Sequence, residues 1–144
     1  MNNLSKTRLA LIRSCLGIAG LLLLTETLLG ALYVLGIGFG SVSDILTDLC
    51  LTMAFPIFLI GFASLRIAAV ILWAFFLAQW VNSGLYNPHS GIHISNPLDW
   101  FHGIALFIGA TLVSFSVWNL SRSLAEQGTH SLRTVFSDSY QQRS

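Results

Sequence analysis

The chain has 144 residues, 54% hydrophobic and only 9% charged, with a formal net charge of +1 and a mean hydropathy of +0.73. A soluble domain carries about 25% charged residues, so this composition excludes a surface built for water. The seven Lys and Arg residues are scattered singly, which excludes a nucleic-acid-binding patch, and no nucleic-acid partner is expected.

Residues 1–13 form a short polar head with Lys6, Arg8 and Arg13. Residues 14–37 follow, SCLGIAGLLLLTETLLGALYVLGI, with Glu26 as the only charge. The run is long enough to cross a bilayer, and its acid falls near the middle. A charged head before an apolar run also describes a signal peptide. This run exceeds a typical signal core and contains an acid, so it is expected to stay as an anchor.

The sequence GFGSVSD after Ile37 breaks the helix, and Asp44 suits the first turn of the next one. Residues 45–86 are too many for one span and right for two, with Arg66 as their only basic residue. The break is expected around Gly61 to Arg66, where FASLR supplies small, polar and basic residues. The second span is then about 45–63 and the third about 67–86. Pro56 predicts a kink in the second.

Residues 82–97, NSGLYNPHSGIHISNP, are the longest polar connection, and their glycines and prolines exclude a continuous helix. Asn96, Pro97 and Asp99 read as a cap, a first-turn proline and an acid at a helix N-terminus. The fourth span is about 100–120, and its helix continues toward Gly128.

Four spans put the head, the Arg66 turn and the tail on one side. That side holds all seven basic residues: Lys6, Arg8, Arg13, Arg66, Arg122, Arg133 and Arg143. The positive-inside rule then places both termini in the cytoplasm, and Trp80, Tyr86 and Trp100 at the outer edge. The reading is an all-α integral membrane four-helix bundle, N-in/C-in, in the cell (inner) membrane. Residues 1–128 are its four-span domain, and 129–144 a polar, disordered cytoplasmic tail.

Glu26 is the first candidate for chemistry. An ionised acid at the bilayer centre costs at least a few kcal/mol, so it should face the bundle. Ala19, Leu22, Gly30 and Tyr33 make the stripe around it, where small residues allow close approach. Thr52, Gln79, Thr111 and Ser114 are its expected polar partners at mid-depth. The functional reading is a proton or cation site; the plainer one is an acid that hydrogen-bonds between helices.

The second candidate is an outer cluster of His89, His93, Asp99 and His102, all acceptable metal ligands. Asp99 and His102 share one helix face, but the spacing matches no standard motif. The plainer reading is residues that solvate a loop and cap a helix, so no cofactor is predicted and a metal at the outer loop is the sharper alternative. Cys15 and Cys50 fall near opposite membrane faces and are expected to be buried apolar residues.

Aromatics crowd the third span at Trp73, Phe75, Phe76 and Trp80. They are expected to face lipid, with a quinone or lipid pocket near Tyr33, Trp80 and Tyr86 as the alternative. The sequence contains no nucleophile triad, phosphate loop, dinucleotide fingerprint or paired carboxylates. A non-enzymatic accessory or scaffold subunit of a larger membrane complex is therefore expected, with the lipid bilayer and partner proteins or further copies around it. A small proton-coupled transporter or channel using Glu26 is the first alternative. A membrane redox or metal-dependent protein using the outer cluster is the second.

Overall fold

A computed structural model describes residues 6–37, 52–81, 97–123 and 130–137. Among them every regular element is a helix: α1 (Lys6–Ile37), α2 (Thr52–Phe62, its last turn a 3-10 helix over Ile60–Phe62), α3 (Leu65–Val81), α4 (Pro97–Ser123) and α5 (Leu132–Phe136). The described parts of α1 and α4 are long and apolar enough to cross a membrane; α2 and α3 are shorter apolar helices.

The helix of α1 begins in the polar head, at Lys6. The reason is a single buried seam. Leu9, Ile12, Leu16, Ala19, Leu23, Glu26 and Gly30 are all buried, at alternating spacings of three and four. Leu9 and Ile12 extend that seam one turn in front of the uniformly apolar run, so the helix extends with them. In α4 the seam is Leu106, Gly109, Val113, Ser116 and Leu120, again at three-four spacing. That pattern is the one by which helices interlock at a shallow left-handed crossing.

The helices pair in opposite directions. Gly20 meets the ring of Phe58, and seven residues further along α1 the Thr27 hydroxyl accepts a 2.9 Å hydrogen bond from the amide of Phe55. Thus α2 runs against α1. On the other flank, Arg66 donates to Ser121 Oγ, and seven residues along α3 the Trp73 indole donates to Ser114 Oγ, seven residues back along α4.

The closest approach is between α1 and α4. A Cβ built on Gly109 would stand 2.8 Å from Leu23 Cδ2, and Leu23 is wholly buried. Leu23 therefore sits directly on bare backbone. The chain reverses between α2 and α3 at Ala63 and Ser64, within the stretch where FASLR marks a break. Pro56 is exposed on α2, and the amide before it is the one turned across to Thr27.

One stretch differs from its sequence reading. Residues 130–137 lie in the expected tail, yet they fold back. Ser131 and Thr134 form a reciprocal capping box that starts α5. Leu132 and Val135 are buried, with Val135 at 0% exposure. Two apolar residues among polar ones make a poor case from composition, but at three-residue spacing they share one face of a turn.

The seat of Leu23 gives a test. Gly109→Val should destabilise the protein by about 1–3 kcal/mol through overpacking. Adding Leu23→Ala should recover part of that loss, read as thermal unfolding in detergent.

Candidate functional site

Glu26 lies on the buried seam of α1 at 0% exposure. The seam argument for the acid thus concerns a side chain turned toward the neighbouring helices. Ala19 and Gly30 share the seam with it, while Leu22 is half-buried beside it. Side chains beyond residue 32 of α1, including Tyr33, lie outside the described ones.

The pairing of the helices sets which polar groups share its level. Leu23 faces Gly109, so Glu26 falls opposite about residue 106 of α4. Trp73 faces Ser114, so Gln79 falls opposite about residue 108. Glu26 and Gln79 therefore occupy the same level on α1 and α3. The Gln79 Oε1 is buried and has no hydrogen-bond partner among the described residues. Thr27, which receives the Phe55 amide, is next to Glu26 in sequence, and Thr52 is three residues before Phe55, half-buried on α2. A carboxyl, an amide oxygen and two hydroxyls thus gather within about a turn of one level.

Thr111 and Ser114 are placed elsewhere. Thr111 is exposed and donates to the carbonyl of Phe107 on its own helix. Ser114 accepts the Trp73 indole at 2.8 Å and lies about 12 Å along α4 from the Glu26 level. Thr25, Ser116 and Asn119 also donate to carbonyls four residues back on their own helices. This is how isolated hydroxyls within helices satisfy themselves.

The Trp73 ring stands edge-on to Phe76 and Phe107, with centroids 5.7 Å away in both cases. It is a packed joint between α3 and α4, closed by the indole bond. Trp80 is 65% exposed. Of the outer cluster, His89 and His93 lie outside the described residues. Asp99 and His102 fall in the first turns of α4, and their side chains are not among those described. Among the described residues no three His, Cys, Asp or Glu side chains gather as a metal site. Cys15 is buried as a free thiol; Cys50 lies outside the described residues.

A second constellation, which sequence reasoning missed, forms where α1 begins and α2 turns into α3. The amide of Leu65, at the start of α3, donates to the carbonyl of His130 at 2.9 Å. Helix starts leave such amides without a partner in their own helix, so residue 130 completes α3 from outside. Leu132 rests on Gly61, where a Cβ would stand 3.0 Å from Leu132 Cδ1. Arg13 reaches over from α1, donating from Nε to the carbonyl of Val135 at 2.8 Å and from Nη2 to that of Ser137 at 3.2 Å. These carbonyls belong to the end of α5, where a cation is favoured. His130 is 3% exposed, and burial, with the Arg66 guanidinium second, holds its imidazole below the usual 6.5. The signal that could have found this constellation is HSLRTV, a capping residue before a Leu–Val pair.

Comparison with protein-family models, characterised proteins and solved structures finds no match for the chain.

The Thr27 contact is open to direct test. Thr27→Val should cost about 1 kcal/mol of stability, because it removes the hydroxyl that accepts the Phe55 amide. Chemical unfolding of the purified protein in detergent measures the loss.

Proposed function

We propose that the chain is a four-pass integral membrane protein, a left-handed four-helix bundle with both termini in the cytoplasm, that serves without catalysis as an accessory or scaffold subunit of a membrane complex. One observation supports the membrane part most. Large apolar side chains are exposed on every one of α1 to α4, Leu21, Leu32, Phe62, Val70, Trp80, Ile104 and Trp118 among them, while the acid is fully buried. In water this distribution is inverted; in hydrocarbon it is the expected one. Only 39% of the most apolar stretch of α1 and of α4 is buried, so most of that surface faces outward among the described residues.

The orientation rests on charge. Among the described residues, Lys6, Arg8, Arg13, Arg66 and Arg133 lie on the start of α1, the start of α3 and α5, the elements that meet at residues 130–137. A cluster of cations at one end is the pattern of a cytoplasmic face. The outward apolar surface is available to lipid, to partner subunits and to further copies of the chain.

The buried carboxyl favours a second reading, a small proton-coupled transporter or channel. It draws on Glu26 with Thr27, Thr52 and Gln79 at one level, since intramembrane acids commonly mark proton paths.

Reporter fusions should put the carboxyl terminus in the cytoplasm and the 87–96 segment outside, and carbonate washing should leave the protein in the membrane fraction. Recovery in the soluble fraction, or both reporters on one side, would defeat the four-pass reading. A tagged chain purified in mild detergent should bring a stoichiometric partner with it. Glu26→Gln should keep folding and partner binding as they are. Loss of proton-linked flux in proteoliposomes of that variant, where the parent shows it, would favour the second reading.

A further inference from the structure

The strap formed by residues 130–137 is held at three points. Its first carbonyl accepts the Leu65 amide, Leu132 fills the notch over Gly61, and Arg13 clamps the carbonyls of Val135 and Ser137 near its end. The strap is short, and its helix has five residues. Its grip on the body is thus a few contacts, of the kind that open without global unfolding. A titratable side chain stands at the first of these points. His130 is 3% exposed beside the one amide that the strap completes.

We propose that residues 130–137 are a releasable latch, closed across α1 and the α2–α3 turn while His130 is neutral and opened when its imidazole takes a proton. Among the described residues, the charged groups at this end of the elements packed against the strap are Lys6, Arg8 and Arg13 on α1, Arg66 on α3 and Arg133 on α5 itself; Glu26 of α1 lies about 20 Å further along that helix. The five nearby are all cations, and α2 meets the strap at Gly61 and has no titratable residue among those described. An imidazolium there would be both desolvated and faced by like charge. The closed form binds the proton less readily than the open form, because burial and then Arg66 lower the His130 pKa from 6.5. Above the open-state value both forms are neutral and the latch is fully closed. As pH falls through that value toward the closed-state one, the open form takes up the proton first, and closure is progressively lost. Release bares the Gly61 notch and frees the Leu65 amide.

Hydrogen exchange of the full-length protein in lipid nanodiscs tests this, followed at the amides of Leu65, Thr134, Val135 and Ser137. Corrected for intrinsic exchange, protection should fall several-fold between about pH 7.5 and about pH 5, while amides on the α1 and α4 seams stay protected. His130→Gln should make protection independent of pH. If that variant is already open at about pH 7.5, Arg66→Gln decides: a closed latch with a smaller acid response supports the proposal. Equal protection of the parent at both pH values would overturn it. So would the parent's acid response persisting in His130→Gln, an undiminished response in Arg66→Gln, or seam amides opening together with the strap.

Discussion

Leu23 on the bare backbone of Gly109 sets the distance between α1 and α4, and much else follows from that contact. With the two axes this close, the seams on either helix must interlock along their length. Those seams carry small residues, Ala19 and Gly30 on one and Gly109 and Ser116 on the other, where bulk would force the axes apart. Glu26 is one position further along the same seam, so the geometry that seats Leu23 also turns the carboxyl inward.

Polar groups in the rest of the structure are handled by the same economy. Hydroxyls on α1 and α4 bond to their own helices, the Trp73 indole takes Ser114, and Thr27 takes the amide beside Pro56. Each gives a polar group within an apolar stretch its hydrogen bond. The apolar side chains, by contrast, cover the outward faces of the helices as well as filling the seams between them. Packing specificity here comes from where the small and polar residues are, because greasy surface is everywhere.

Much of the helical layout was legible in the sequence. The break at FASLR, the start of α4 at Pro97 and the inward face of Glu26 all follow from residue types whose preferences are local. The partners of Glu26 were less legible. Thr52, Gln79, Thr111 and Ser114 are alike in being polar residues inside apolar runs. What separates Gln79 from Ser114 is the register between helices, and register depends on contacts such as Leu23 with Gly109 that no single helix reveals. The strap was illegible for a different reason. Two apolar residues in a polar stretch count as tail by composition, and only the notch at Gly61 gives Leu132 somewhere to go. The outer residues His89 and His93 belong to a segment outside the described residues.

The bonds from Arg13 to the carbonyls of Val135 and Ser137 join positions more than 120 residues apart. During synthesis the first helix is therefore complete long before its clamp or its α4 neighbour exists. In a bilayer its carboxyl would meanwhile face lipid or a chaperoning partner, an arrangement that costs a few kcal/mol until the later helices arrive. In that setting the nascent chain would be least protected in the interval between the making of α1 and the arrival of α4.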